Sequence, residues 1–180
     1  MNTFCKYISP VALTILVVAA GGVAFGQGPR TQPMDATFVK EAATGGMAEV
    51  KMGRLAEQRG TNSAVKAFGK RMVIDHTKAG EQLKSIALRN HFTVPAALDK
   101  SDQAEYVRLS SLSGAEFDKA FAQDMVADHG QAIDAFQQEA TTGRNSDLKS
   151  FASETLPTLK DHLKQAKEMQ ETVTGHDSNQ

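Results

Sequence analysis

The chain has 180 residues, 41% hydrophobic and 23% charged, and this length favours a single domain. Twenty Lys and Arg against 21 Asp and Glu give a formal charge of -1, and without a concentrated basic run there is no electrostatic footprint for binding nucleic acid. A single cysteine excludes an internal disulfide and the paired thiolates of an iron–sulfur or zinc-ribbon site, so any chemistry must come from His, Asp, Glu and Met.

The N-terminal segment, residues 1–26, has the pattern of a secretory signal peptide. It contains one cation, Lys6, no acid, an apolar run over residues 11–20 and a small-residue end. The apolar run falls short of the ~20 residues that a spanning helix needs. We therefore expect the signal peptide to be cleaved, no transmembrane span to remain, and the mature protein to be periplasmic or secreted.

The next segments predict two long helices joined by a tight turn. From Asp35 onward, apolar residues recur at spacings of three and four, and no alternating run of β-branched residues suggests a strand. We expect the first helix to begin after Asp35, acting as its N-cap, and to end near Arg59 before Gly60. The second helix then starts at Asn62 or Ser63 and continues to about residue 89.

A long crossover separates these helices from two more. Residues 91–112 include a proline and break the helical pattern, leaving room for a short helix at about residues 101–109. Ser113 and Glu116 form a capping box that begins the third long helix, which ends near Thr142. The fourth starts at residue 146 or 147 and fades after residue 171.

These elements predict an all-α fold. Two tight helical hairpins joined by one long crossover, between the second and third long helices, are typical of the ferritin-like four-helix bundle rather than of a simple up-down-up-down bundle. We expect the bundle domain to cover residues 36–171 and the tail, residues 172–180, to be disordered.

Three of the four predicted long helices carry one histidine on the stripe that faces the core. These are His76, His129 and His162, while the first helix presents Glu49 among small residues that let it approach its neighbours closely, including Gly46. Each of the four polar residues lies near the middle of its helix, so they can converge whichever way the helices run. Burying a carboxylate and three imidazoles without partners would be strongly unfavourable.

A divalent transition metal satisfies such groups most completely. We expect Glu49, His76, His129 and His162 to be its ligands, a donor set that suits zinc, iron or manganese. The alternative is a network of hydrogen bonds between Glu and His that orders the core without any metal.

Residues beside the histidines are candidates for an outer shell around the ion. Asp75, Asp128 and Asp161 each precede one histidine and are placed to orient the imidazole of a neighbouring helix, although a solvated flanking carboxylate is the commoner role. Met72 and Met125 lie one turn before two of the histidines and offer thioethers to copper. Since methionine on a core stripe is usually gap-filling, copper is the weaker metal candidate.

An ordered series of short motifs resembles a known bacterial family. In chain order the motifs are Gly45-Gly46-Met47-Ala48-Glu49-Val50, Gly53-x-Leu55-Ala56, Phe68, Met72-Val73-x-Asp75-His76, Gly114-x-x-Phe117-Asp118, His129, Phe151-Ala152, and Thr155-Leu156-Pro157 leading to His162-Leu163. Over residues 36–170 they resemble the exported family called domain of unknown function 4142. The resemblance implies a ferritin-like bundle, often labelled an outer membrane protein, whose activity is not established.

Two functions remain open from the sequence. The Glu-x-x-His pairs of di-iron proteins are absent, since Val73, Val126 and Leu159 stand three residues before the histidines, and this argues against ferroxidase chemistry. The first hypothesis is a protein that binds one metal ion and acts in metal handling or in redox or stress defence. The alternative is a metal-free structural or stress-related envelope protein that acts through a protein partner. An enzyme with a nucleophilic serine or cysteine is the weakest candidate, because no Gly-x-Ser-x-Gly elbow is present.

Overall fold

The computed structural model describes residues 33–175, and every regular element within that range is an α-helix. In chain order the helices are α1 (Pro33–Arg59), α2 (Ser63–Arg89), α3 (Lys100–Ser110), α4 (Gly114–Thr142) and α5 (Ser146–Gly175). The predicted signal peptide lies outside the described residues, as do residues 176–180. Between residues 33 and 175, no helix combines the length and the hydropathy that crossing a bilayer would require.

The four long helices form two hairpins, α1 with α2 and α4 with α5, which pack against each other to form a bundle. Between the hairpins, α1 packs on α4 and α2 packs on α5. The start of α1 contacts the turn between α4 and α5, and the start of α4 contacts the turn between α1 and α2. Helices α1 and α4 are therefore antiparallel, so the connection from α2 to α4 travels the length of the bundle. The short helix α3 lies in this crossover, as predicted, and packs on α1 and α4.

Asp35 has a different role from the predicted one. Helix α1 already begins at Pro33, a residue type favoured in the first helical turn because its missing N–H would have no partner there. The buried Asp35 carboxylate instead accepts hydrogen bonds from the backbone N–H groups of Arg144 and Asn145, at 2.9 and 3.1 Å. Asp35 thus holds the α4–α5 turn, and the prediction that it caps its own helix is wrong.

Asp118 plays the matching role for the other hairpin. Its buried carboxylate accepts from the backbone N–H groups of Thr61 (3.0 Å) and Asn62 (2.8 Å) and from the Thr61 hydroxyl (2.5 Å). Asn62 in turn caps α2 by accepting from the backbone N–H of Ala64 at 2.8 Å. Each hairpin therefore carries, at the start of its first helix, the carboxylate that organises the turn of the other hairpin.

Two other predicted helix ends need correction. Ser113 occupies the N-cap position of α4 but its side chain makes no capping hydrogen bond, so the predicted capping box with Glu116 does not form. Helix α5 continues to Gly175, and the prediction of disorder from residue 172 is wrong for residues 172–175. The physical reason is that Val173 is buried in the same apolar cluster as Met169, which extends the helix by a further turn.

The core consists of two apolar clusters stacked along the bundle axis. One surrounds Phe68, Phe117 and Phe121, near the α1–α2 turn, and the other surrounds Phe38 and Phe136, near the α4–α5 turn. The buried side chains change from one cluster to the other near the middle of every long helix. The polar residues Glu49, His76, His129 and His162 lie at that change and form a layer between the clusters.

Helices α1 and α2 approach each other closely at Gly53 and Gly69, but not at Gly46. A Cβ added to Gly53 would lie 2.6 Å from the Gly69 carbonyl oxygen, and one added to Gly69 would lie 2.6 Å from the Gly53 carbonyl oxygen. The two backbones thus touch at these glycines. At Gly46 a Cβ would meet no neighbouring group of the described chain within 4 Å, so close helix approach is not the reason for that glycine.

Glu139, near the α4–α5 turn, makes the free energy of unfolding depend on pH. It is 1% exposed, and neither carboxylate oxygen is paired with a donor among residues 33–175. The pKa of Glu139 is raised from 4.5 to about 7. Burial is the larger cause, and the nearby Asp35 carboxylate is the second. Because the folded protein holds this proton more tightly than the unfolded chain, the associated stability is present below pH 4.5 and is lost as the pH rises to about 7.

We expect Glu139→Gln, which keeps the shape without the charge, to stabilise the protein by about 1–3 kcal/mol near pH 8 and by clearly less near pH 5. Urea unfolding at both pH values measures this difference. Glu154→Gln, at an exposed position of α5, is the control and should show no such pH dependence. An equal gain from Glu139→Gln at both pH values would contradict the assignment.

Candidate metal centre

His129 and His162 face each other across the middle of the bundle. The distance between His129 Nε2 and His162 Nδ1 is 3.3 Å. His129 Nδ1 lies 2.8 Å from the Met125 carbonyl oxygen, and His162 Nε2 lies 2.8 Å from Asp75 Oδ2. A carbonyl and a carboxylate only accept, so each of these outer ring nitrogens donates its proton. In the neutral rings, the two nitrogens that face each other therefore both present lone pairs.

Two facing lone pairs are the arrangement that a metal ion would satisfy. In a tetrahedral site with metal–nitrogen bonds of about 2.0–2.1 Å, neighbouring ligand nitrogens lie about 3.3 Å apart. The third imidazole, His76, completes a group in which one ligand atom of each ring lies within 4.8 Å of the others. The ring centroids are 5.2 Å apart for His129 and His162, 5.7 Å for His76 and His129, and 5.4 Å for His76 and His162.

Glu49 brings a negative charge to the same layer. Its Oε2 lies 2.5 Å from His76 Nε2, and its Oε1 lies 3.6 Å from His129 Nδ1. The side chains of Glu49 and His76 are 7% and 10% exposed, so this ion pair is shielded from solvent. Within residues 33–175, His76 Nε2 nevertheless has no hydrogen bond of acceptable geometry. Glu49 is therefore the partner of His76 Nε2 by charge and proximity, although the pair is not a well-aligned hydrogen bond.

The protonation states of these groups follow from burial and from their mutual charges. Burial alone would raise the pKa of Glu49, but the charges of His76 and His129 outweigh it and lower that pKa to about 2. Burial lowers the pKa of His162 to about 4, although the hydrogen bond that His162 donates to Asp75 opposes this shift. For His76, burial would lower the pKa, yet the Glu49 charge raises it. At neutral pH the layer therefore offers a carboxylate and, at His162, a neutral imidazole.

Of the three aspartates that precede the histidines, one reaches an imidazole. Asp75 of α2 accepts from His162 of α5 and also pairs with Arg71, Oδ2 to Nε, at 3.2 Å. Burial would raise the pKa of Asp75, but these two partners lower it. Asp161 lies 2.9 Å from Arg71 Nη2 and is nearly half exposed, as expected of a solvated flanking carboxylate.

Met72 and Met125 fill space in the apolar core, which is the commoner role of methionine on a core stripe. Met72 and Met125 are fully buried in the apolar cluster around Phe68. Met125 does contact the histidine layer, but through its backbone carbonyl, which accepts from His129. The ring of Phe68 packs edge-on against His129 and His162 and closes this end of the layer with apolar surface.

Asp128 belongs to a cluster of carboxyl groups whose other members, Asp124 and Glu105, were not predicted from the sequence. It lies on α4 beside Asp124, opposite Glu105 of α3, and Asp124 is paired with Arg108. Burial, together with the charges of the neighbouring carboxylates, raises the pKa of Asp128 to about 8 and that of Glu105 to about 7. No local sequence signal marks Glu105, because its position depends on how the crossover folds back over α1 and α4.

A cavity of about 440 Å³ lies beside the histidine layer, between the two hairpins. All four long helices and the first half of α3 contribute to its wall. His76, His162 and Glu49 form part of that wall. The candidate metal centre is therefore next to a cleft whose wall includes exposed residues such as Glu41 and Ser101.

Comparisons with known proteins agree with a helical fold. A family model described as "Domain of unknown function (DUF4142)" matches residues 22–169. No curated protein matches the chain. A crystal structure of a DUF305 fragment from Deinococcus radiodurans is similar, with a TM-score of 0.67 and 13% sequence identity over 81% of this chain and 99% of that fragment. At this identity the similarity concerns the fold alone.

Proposed function

The chain belongs to the DUF4142 family, and we propose that it binds one divalent transition metal ion in the polar layer at the middle of its bundle. The observation that carries this proposal is the pair of imidazole nitrogens, His129 Nε2 and His162 Nδ1, whose lone pairs face each other at 3.3 Å. His76 supplies a third nitrogen; Glu49 lies outside this three-histidine group, beside His76, and would turn toward the ion as the fourth, anionic ligand. Asp75 and the Met125 carbonyl orient the two facing rings from outside, a common arrangement around metal-bound histidine.

A metal explains the layer better than hydrogen bonds alone. Without an ion, one ring must carry a second proton between His129 and His162, which places an additional charge in a buried environment. The Nε2 atom of His76 would also have only the Glu49 carboxylate beside it, without a well-aligned hydrogen bond. One cation relieves both problems, because it accepts lone pairs and balances the Glu49 carboxylate.

The donor set and the topology favour a mononuclear site. Three imidazoles and one carboxylate suit zinc, iron or manganese, and copper is the weaker candidate because the nearby methionines pack in the apolar core. We assign the bundle to the ferritin-like topology of two hairpins with one long crossover, although it lacks that group's Glu-x-x-His pairs. An exported protein of this kind, periplasmic or secreted, would act in metal handling or in redox or stress defence of the bacterial envelope.

The second candidate is a metal-free structural or stress-related envelope protein that acts through a partner. One observation favours it: every member of the layer already has a close neighbour, Glu49 beside His76, Met125 O beside His129, and Asp75 beside His162. Under this alternative, the layer orders the core as a polar network. It predicts no bound metal and little functional loss when one histidine is replaced.

Metal content separates the two candidates. The mature protein, exported without an affinity tag, is analysed by mass spectrometry as purified and after reconstitution with zinc, iron, manganese or copper. We expect close to one ion per chain, lost in His76→Ala and Glu49→Ala. Asp75→Asn should retain the site but weaken it by about 10–100-fold, since it disturbs only the orientation of His162.

His91→Asn is the matched control, because His91 is exposed in the crossover and has a φ of 59°, which asparagine tolerates. It should load metal like the wild type. A folded wild-type protein that takes up none of the four metals, or a His76→Ala variant that loads normally, would refute the proposal in favour of the polar network.

A further inference from the structure

The cavity between the hairpins is large enough for more than a metal ion. Its volume of about 440 Å³ falls in the range of small-molecule pockets, about 300–1,000 Å³. His76 and His162 form only a small part of its wall, and His129 does not line it. The remaining space needs a separate explanation.

Three glycines inside helices lie beside this space. Gly45 and Gly46 of α1 and Gly80 of α2 line the cavity, and a Cβ at any of them would meet no neighbouring group of the described chain within 4 Å. Glycine inside a helix destabilises it by about 0.5–1 kcal/mol relative to alanine. At Gly53 and Gly69 this loss of helix stability is offset by the close contact between α1 and α2, but the three cavity glycines make no such contact. At the half-buried Gly45 and Gly46 the missing side chains leave room in the cavity, whereas Gly80 is exposed and lies at its solvent side.

The wall of the cavity has an apolar side and an acidic side. Phe38, Phe136 and Phe151 provide aromatic surface from three helices. On the side of α3, Asp102 and Glu105 each have one buried carboxylate oxygen without a hydrogen-bond partner in the described chain. Among residues 33–175, no lysine or arginine is part of the wall. The side chain of His76, nine-tenths buried and paired with Glu49, is part of the same wall.

We propose that this cavity binds a small organic amine. The ammonium group would lie against Asp102 and Glu105 and supply the donors that their free oxygens lack, while the aliphatic body would pack on the three phenylalanines. An organic anion is disfavoured, because the wall offers it no lysine or arginine and Arg108, whose charge acts on Glu105, pairs with Asp124. A hydrated inorganic ion would leave the aromatic side of the wall uncovered. The cavity shares the wall residues Glu49, His76 and His162 with the metal centre, but the proposed ammonium contacts are on α3 and do not require a bound metal.

The charge preference is tested with three probes of one chain length. Hexylamine, hexanol and hexanoate are titrated calorimetrically into mature protein prepared without added metal. We expect hexylamine to bind one molecule per chain, hexanol at least tenfold more weakly and hexanoate not at all. Glu105→Gln should weaken hexylamine about tenfold while leaving hexanol unchanged, as expected for loss of one buried charge partner. Glu57→Gln, at an exposed position of α1, is the control and should bind like the wild type.

The location is tested by filling the cavity. Gly46→Leu places a side chain in the open space and should abolish hexylamine binding while raising the midpoint of thermal unfolding. Zinc content is measured on the same samples, so loss of amine binding with zinc retained distinguishes this site from the metal centre. The proposal is overturned if folded wild-type protein does not bind hexylamine, if hexanoate binds as tightly as hexylamine, or if Gly46→Leu still binds the amine.

Discussion

Replacing Asp118 by alanine is expected to lower the free energy of unfolding by about 2–4 kcal/mol. The Asp118 carboxylate is buried and accepts from two backbone N–H groups and one hydroxyl at the α1–α2 turn. Alanine would leave the N–H groups of Thr61 and Asn62 without an acceptor at the place where α2 begins. Water can reach the exposed Thr61 and replace part of what is lost, which keeps the expected effect below that of a fully enclosed charge.

Chemical denaturation monitored by circular dichroism measures this loss. Asp118→Asn retains one acceptor oxygen and should lose about half as much stability, since hydrogen bonds to a neutral acceptor are weaker than those to a carboxylate. Asp134→Ala, at an exposed position of the same helix, serves as control and should change stability by less than about 0.5 kcal/mol. If Asp118→Ala is no more destabilising than Asp134→Ala, the carboxylate does not hold the turn.

Gly69→Ala is expected to lower the free energy of unfolding by about 2–3 kcal/mol. The added Cβ would lie 2.6 Å from the Ala56 Cβ and 2.6 Å from the Gly53 carbonyl oxygen. Both are parts of a helix rather than ends of flexible side chains, so α1 and α2 must move apart. Because Gly53 lies one turn beyond Glu49, the same movement should lengthen the contact between Glu49 and His76 and weaken metal binding.

Gly80→Ala provides the comparison, since it makes the same chemical change in the same helix. A Cβ at Gly80 meets no neighbouring group of the described chain within 4 Å, so the variant should gain helix stability of up to about 1 kcal/mol. The two substitutions are thus expected to have opposite signs, and urea titrations of both measure this directly. A stabilising Gly69→Ala would show that the two backbones do not touch.

The sequence predicted what depends on local pattern. Apolar spacing located the four long helices and the short helix of the crossover, and the same spacing placed His76, His129 and His162 on core-facing stripes. The three imidazoles do lie together. The metal itself stays a prediction. The tautomer of His162 could not be foreseen, because it depends on Asp75, a residue 87 positions away.

The features that the sequence did not reveal are contacts between distant segments. Asp35 looked like a cap for its own helix, since capping is a local signal, but its partners are more than 100 positions away. No local sequence pattern marked Glu105, because its side chain meets Asp124 and Asp128 only when α3 packs on α1 and α4. Gly46 and Gly53 looked alike in sequence, yet only Gly53 lies against another backbone.

The division of the core into two apolar clusters determines how the molecule can open. Each cluster contains side chains from both hairpins, so the unit of partial unfolding is one end of the bundle rather than one hairpin. The four polar residues are the level at which the two ends are coupled. An ion bound there would connect all four long helices. Its removal would increase the rate of amide hydrogen exchange at both ends of the bundle, far from the ligands. Occupancy of the centre would then set the cooperativity of the whole fold.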